Sequence, residues 1–123
     1  NHKISAASFR LANVRSPGNY DVYPKRRKRA ERQAGGLWSY VDARDGGQAC
    51  VKFWESDLTG HTVFNLSAAD NWLDVPVDEV KAQSGYSDVP SKEGFEGSET
   101  GWDISKAKRE LGYVPKYSWR DHL

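Results

Sequence analysis

Asp103-Ile104-Ser105-Lys106-Ala107-Lys108-Arg109-Glu110-Leu111-Gly112-Tyr113-Val114-Pro115 carries the clearest structural instruction in the chain. Asp103 offers a side-chain acceptor to the free N–H groups of a first helical turn, and Gly112 supplies a left-handed stop. Between them Ile104, Ala107 and Leu111 recur at helical spacing and share one face. Lys106, Lys108 and Arg109 lie where positive charge meets the negative end of the helix dipole. The spacing therefore predicts a short amphipathic helix docked through Ile104, Ala107 and Leu111, with Lys106, Lys108, Arg109 and Glu110 in water. A second opening follows at Ser118-Trp119-Arg120-Asp121, which has the pattern of a capping box.

Working back toward the N-terminus, the pattern alternates between strand and helix. Ile4 to Val14 reads as a buried strand closed by the turn cluster Ser16-Pro17-Gly18-Asn19. Tyr20 to Gly36 contains Lys25-Arg26-Arg27-Lys28-Arg29 and Arg32 with few apolar residues, and reads as a solvated loop or short helix. Leu37 to Val41 has strand character. Asp45, with Gln48 three residues on, reads as the cap of a helix from about Gly46 to Leu58 that Gly60 stops, placing Ala49, Cys50, Phe53, Trp54 and Leu58 on one face. Thr62 to Ala68 reads as another strand. Asp74 or Pro76 opens a short helix through Val77 and Val80 that Gly85 ends, and Ser87 to Gly101 is a polar connection. Arg10, charged within an apolar strand, is expected to pair with Asp45, since a buried charge needs a partner. The fold class is α/β, with few strands, three to four helices and an incomplete sheet.

Composition bounds the rest. With 123 residues, 37% hydrophobic and 28% charged, the chain suits one globular domain. No stretch approaches the roughly 20 apolar residues of a membrane span, and no signal core is visible, so a cytoplasmic setting is expected. Cys50 is the one cysteine, and His2, His61 and His122 have no ligand-like spacing, so no metal site is expected. There is no methionine, and the chain reads as a piece of something longer. Residues 1–41 hold nine basic and two acidic side chains, whereas residues 42–103 hold four basic and thirteen acidic. Such a split fits either a basic binding surface or two regions of one fold that attract each other.

Four segments together resemble a known family. Phe9-Arg10-Leu11-Ala12-Asn13-Val14 followed by Ser16-Pro17-Gly18 is similar to the "L-R-x-x-N-V-Y-G-P-G" segment of extended short-chain dehydrogenases, the NAD(P)-dependent epimerase/dehydratase family acting mostly on nucleotide sugars. Tyr40-Val41-Asp42-Ala43-Arg44-Asp45 resembles its "V-H-V-D-D" junction, Val63-Phe64-Asn65-Leu66 its "x-F-N-[VI]" strand, and Asp103 to Pro115 its "D-x-S-K-A-x-x-x-L-G-[WY]-x-P" terminal helix. The family's Gly-rich turn has no counterpart here. No tyrosine has a lysine four residues on, so the family's acid/base pair is missing too. The resemblance implies that residues 1–123 are a single C-terminal substrate-binding region of a Rossmann-type enzyme without its N-terminal dinucleotide-binding domain. NAD or NADP then belongs to the parent enzyme and is not held tightly by this chain.

By the same resemblance, Asn13, Arg15 and Trp38 are candidate substrate-binding residues, and Ala12, Pro17 and Gly18 are candidate cofactor contacts; no catalytic residue is carried over. Asn13 matches the family Asn that hydrogen-bonds the sugar nucleotide, or is a plain turn-former. Arg15-Ser16 stands where the family often has Tyr-Gly. Trp38 stands where many members place an Arg for the diphosphate, and is either core or a stacking wall. The basic run admits three readings: nucleic-acid or import recognition, a side of the substrate pocket, or a solvated loop. The function expected is the substrate-binding portion of an NAD(P)-dependent epimerase, dehydratase or reductase of a sugar-like substrate, inactive alone. The alternatives are a basic nucleic-acid-binding module and a sugar-binding pseudoenzyme. Expected partners are the sugar-like substrate and the missing Rossmann domain. A homo-oligomer is a further expectation, because the first strand would leave an unpaired apolar edge.

Overall fold

The structure is a computed structural model that describes residues 4–123. It is mixed α/β, with short parallel strand pairs and four α-helices. The order is β1 (Ala6–Leu11), β2 (Asn13–Arg15), α1 (Val22–Arg26), a kinked 3-10 stretch (Arg27–Gly36), β3 (Tyr40–Asp42), α2 (Ala43–Trp54), β4 (His61–Leu66), α3 (Val77–Lys81) and α4 (Ser105–Leu111), ending in a 3-10 turn (Trp119–His122). β1 pairs in parallel with β4, from Ala6 opposite His61 to Leu11 opposite Leu66, and β2 pairs in parallel with β3, from Asn13 opposite Tyr40 to Arg15 opposite Asp42. Parallel neighbours require long crossovers, and α1, β3 and α2 are the crossover between β1 and β4.

The expected single buried strand over 4–14 is two strands. Ala12 breaks it: this residue is buried, its N–H donates to the Leu66 carbonyl at 3.0 Å, and the chain steps there from one strand pair to the other. β1 is also less buried than expected, because only one of its edges is paired among the described residues. Ala7 and Phe9 pack inward, with Phe9 stacked on Phe64 at 6.0 Å, while Ile4, Leu11 and Val14 are exposed. Arg10 lies on the outward face and does not pair with Asp45. The buried Asp45 carboxylate instead accepts the backbone N–H groups of Lys116, at 3.0 and 3.1 Å, and Tyr117, at 3.2 Å. Burial pushes the Asp45 pKa up against those hydrogen bonds.

Asp45 is therefore not the cap of α2. Asp42 is: its carboxylate accepts the Arg44 N–H at 2.8 Å, and the helix begins at Ala43 and ends at Trp54. Its inward stripe is Asp45, Ala49 and Phe53 at fourth-residue spacing; Cys50 and Trp54 lie one step further round, in solvent. The basic stretch takes the short-helix form of the expectation, as α1 and the 3-10 stretch, but it is seated on the core rather than wholly solvated. Tyr20, Tyr23, Ala30 and Ala34 are all buried, because two aromatic rings and two small residues are enough to seat it against Trp38 and Trp72.

The strand expected over Leu37 to Val41 is shifted to Tyr40–Asp42, because Leu37 and Trp38 take left-handed backbone at φ 52° and 54°; the remaining elements lie close to where the sequence places them. β4 lies within Thr62 to Ala68 except for its first residue, α3 carries Val77 and Val80, and Gly85 ends the turn that follows α3 at φ 78°. In α4, Ile104, Ala107 and Leu111 are buried and the charged side chains are exposed. Two cores result. One joins Ala49, Phe64, Leu66, Ile104, Ala107, Leu111 and Tyr113 around β4; the other gathers Tyr20, Tyr23, Trp38, Tyr40, Trp72, Leu73 and Trp119. No helix among the described residues is long and apolar enough to cross a membrane.

Candidate functional site

Where β1 ends and the chain steps into β2, a cleft of about 230 Å³ opens. Ala12 and Asn13 form its floor at the strand end, Arg26 reaches it from α1, Gln33 from the 3-10 stretch, and Trp38, Trp72 and Trp102 wall it. Ligands of parallel α/β sheets bind outside the carboxyl ends of strands, and this cleft has that position relative to β1. The side chains of Asn13, Arg26 and Gln33 form no hydrogen bond or ion pair with the described residues, so three unspent polar groups converge on an aromatic pocket.

The aromatic wall is held in place by backbone. Leu37 and Trp38 both adopt left-handed conformations, at φ 52° and 54°, which cost on the order of 1–3 kcal/mol each for residues with a side chain. The neighbouring hydrogen bonds hold them there: the Leu37 N–H donates to Ala34 O at 2.8 Å, the Trp38 indole to Ala30 O at 2.8 Å, and the Trp72 N–H to Trp38 O at 2.9 Å. The Trp102 indole closes the other side by donating to Gly36 O at 3.2 Å. Gly101 makes that approach possible, since a Cβ there would lie 2.7 Å from the Leu37 Cβ.

A wider groove of about 930 Å³ runs on the far side of Trp38 and Trp102, between the loop from Tyr86 to Phe95 and the start of α4. Its charges are mixed, with Lys81, Lys92 and Lys108 against Glu93, Glu99 and Asp103. The amides at its rim are already engaged. The Glu99 carboxylate accepts the N–H groups of Glu96, Gly97 and Ser98 at 2.9 to 3.1 Å, and these bonds lower its pKa.

Of the residues singled out by sequence, the structure brings Ala12, Asn13 and Trp38 together at the cleft. Trp38 is buried, as its core reading expects. Arg15 is elsewhere: alternation along β2 turns it inward, where its Nε donates to the Tyr23 hydroxyl at 3.1 Å and its guanidinium lies 5.3 Å from the Tyr23 ring. Its buried Nη2 has no partner among the described residues. Pro17 and Gly18 sit in an exposed turn closed by the Asn19 N–H donating to Ser16 O at 3.1 Å, and line neither cavity. Four lining residues escaped the sequence reading. Arg26 was hidden inside a run of like charges, Gln33, Trp72 and Trp102 stand in no periodic pattern, and only the Gly101-Trp102 pair hinted at a close-packed aromatic.

Ionisable groups near the cleft are fixed rather than poised. Asp42 is fully buried, which by itself would raise its pKa. The two-pronged contact from Arg44, at 2.9 Å on each oxygen, and the Tyr20 hydroxyl at 2.5 Å outweigh burial and hold it at about 2. Burial raises the phenols of Tyr20, Tyr40 and Tyr113, and pushes Tyr23 up to about 12. These hydroxyls stay protonated donors. The cleft offers tryptophan side chains, free hydrogen-bonding groups and one permanent cation.

Ala12, Pro17 and Gly18 do not by themselves fit a dinucleotide. Nothing lies within 4 Å of a Cβ placed on Gly18, so no backbone cradle surrounds it, and the N-terminus of α2, where a pyrophosphate would gain most, already holds the carboxylates of Asp42 and Asp45. No cluster of three or more His, Cys, Asp or Glu among the described residues is placed to hold a metal ion. In comparisons with known proteins, no family model, no curated protein and no solved structure matches this chain.

Proposed function

We propose that this chain is the C-terminal, substrate-binding portion of an NAD(P)-dependent epimerase, dehydratase or reductase of the extended short-chain dehydrogenase kind, acting on a sugar-like substrate and inactive alone. The observation that carries the reading is the cleft at the end of β1, where Asn13 stands beside free polar groups and tryptophan walls. The four segments that resemble the family also pack as one unit. Phe9 and Arg10 pair with Phe64 and Asn65 across β1 and β4, Asn13 and Val14 pair with Tyr40 and Val41, and α4 packs on β4 through the core around Phe64. The NAD(P) is held by the N-terminal domain that the family places ahead of this region.

The basic run fits this reading better than it fits a nucleic-acid surface. Lys25 is paired with Asp21, Arg27 with Asp74 and Arg32 loosely with Glu31, while Arg26 turns to the cleft. Of the six cations only Lys28 and Arg29 are then exposed with no ion pair among the described residues, a short run with which to track a phosphate backbone.

The test is the coding sequence that precedes Asn1. An open frame encoding a Gly-rich turn after a strand and a Tyr-x-x-x-Lys pair is expected, and calorimetry should then register NAD binding by the longer chain and none by residues 1–123. A frame lacking both motifs, or micromolar NAD affinity in the 123-residue chain, overturns the proposal. A second expectation concerns β1, whose free edge carries N–H and C=O groups open to another strand, next to exposed Ile4 and Leu11. Sedimentation of the 123-residue chain should show concentration-dependent association, which Leu11→Lys should reduce by placing a charge on the exposed apolar edge. A monomer at every concentration would count against an edge left open.

A further inference from the structure

We propose that the cleft at the end of β1 takes a single monosaccharide carrying one anionic group, a carboxylate or a phosphate, with Arg26 as the anchor of that group. The inference deepens the sugar-binding reading and rests on it.

Size comes first. A cleft of about 230 Å³ lies below the roughly 300–1,000 Å³ of sites that enclose drug-sized ligands. It suits one six-membered ring, and a nucleoside diphosphate sugar would extend well outside it. Shape agrees, since the half-exposed Trp102 lines the cleft beside the buried Trp38 and Trp72, while Asn13 and Gln33 supply both donors and acceptors for hydroxyls.

Charge then selects among sugars. Arg26 is the one charged residue lining the cleft, half-buried and without an ion-pair partner among the described residues. The other cationic residues of its run that approach a carboxylate are spent on Asp21, Asp74 and Glu31. No carboxylate lines the cleft to repel an anion. A guanidinium offers a planar fork that matches a carboxylate or a phosphate with two parallel hydrogen bonds. Half-buried, that charge gains more from a bound anion than it would on an open surface.

The experiment titrates the 123-residue chain with glucuronate, glucose 6-phosphate, glucose and UDP-glucose, followed by tryptophan fluorescence and by the indole N–H signals of Trp72 and Trp102 in nitrogen-15 NMR. At least one of glucuronate and glucose 6-phosphate should bind tenfold or more tightly than glucose, and the preference should shrink as salt is raised. Which of the two binds identifies the anion as carboxylate or phosphate. Arg26→Gln should abolish the preference, with affinity for the bound acid falling tenfold or more beyond any change in glucose affinity, and Arg26→Lys should keep part of it; far-UV circular dichroism confirms that both variants fold. Equal affinity for glucose and both acids, or a preference that survives Arg26→Gln, overturns the inference while the sugar reading stands. UDP-glucose binding more tightly than both acids likewise overturns it and leaves the substrate a nucleotide sugar. Absence of binding by all four ligands overturns this inference and removes the main support for the sugar-binding reading.

Discussion

Leu111→Ala should unfold most of the chain, whereas Lys108→Ala, one turn back and on the wet face, should leave stability within about 0.5 kcal/mol of the original. Leu111 is buried with Ala49, Phe64, Leu66, Ile104, Ala107 and Tyr113, and truncating a buried leucine costs about 2–5 kcal/mol because a cavity replaces its contacts. A small domain holds roughly 5–15 kcal/mol in all, and this one has a strand with an open edge and two separate cores, which puts it near the lower figure. The helix cannot slide to refill the space. Its start is tied by the Asp103 carboxylate accepting the Ser105 N–H at 2.9 Å, and its end by Gly112, at φ 66°, donating to Lys108 O at 3.1 Å while the Tyr113 N–H donates to Ala107 O at 3.2 Å. Lys108 is a better control than Lys106, whose Nζ donates to Val63 O at 2.9 Å and lies 5.2 Å from the Phe64 ring. Urea titration of the two variants decides. Equal and small effects would mean that α4 is not docked.

The parts of this fold that sequence makes legible are those where one local rule acts alone. Helix α4 has its cap, its stripe and its glycine within ten residues, and each agrees with the others. At Asp42 and Asp45 two rules compete. Both precede a helical pattern, both are acidic, and Asp45 has Gln48 at capping-box spacing, yet Asp42 takes the cap. The reason is remote from the helix: Lys116 and Tyr117, some seventy residues on, need an acceptor for their backbone N–H groups, and Asp45 is the residue they meet. No window along the chain contains that fact.

The basic segment shows a different limit. Counting apolar residues from Tyr20 to Gly36 predicts exposure, because Tyr20, Tyr23, Ala30 and Ala34 stand among six arginines and lysines. Burial is decided instead by which few residues point inward, and here they are two tyrosines that meet at a tilt, Tyr23 of them stacking on Trp72. The cleft was half legible for the same reason. Its floor, Ala12 and Asn13, lies within a recognisable strand end, but Arg26, Gln33, Trp72 and Trp102 come from four places that only the fold brings together.

Trp119→Ala should cost about 3–5 kcal/mol, the range for losing a large buried aromatic. Trp119 is 4% exposed, donates its indole N–H to Asn71 O at 2.9 Å and gives its backbone N–H to the Tyr40 hydroxyl at 2.8 Å. The capping box of Ser118 and Asp121 fixes the turn that presents it, and Arg120 braces the same turn by donating to Asp70, to Asn71 O and to Leu73 O. Trp119→Phe separates packing from hydrogen bonding. It keeps most of the ring in place, and Asn71 O retains Arg120 as a donor, so a loss of about 0.5–1.5 kcal/mol is expected. Thermal melting of the two variants checks the ratio, and a Trp119→Ala chain that melts with the original would show the turn to be undocked. The effect should also reach the cleft. Trp119 meets the Tyr23 ring edge-on at 5.9 Å, and Tyr23 stacks on the cleft wall Trp72 at 5.6 Å with the planes 5° apart. On the sugar-binding role proposed for the cleft, a folded Trp119→Phe chain should bind glucuronate or glucose 6-phosphate more weakly than the original without touching either, because it loosens the packing of Trp72, which lines the cleft.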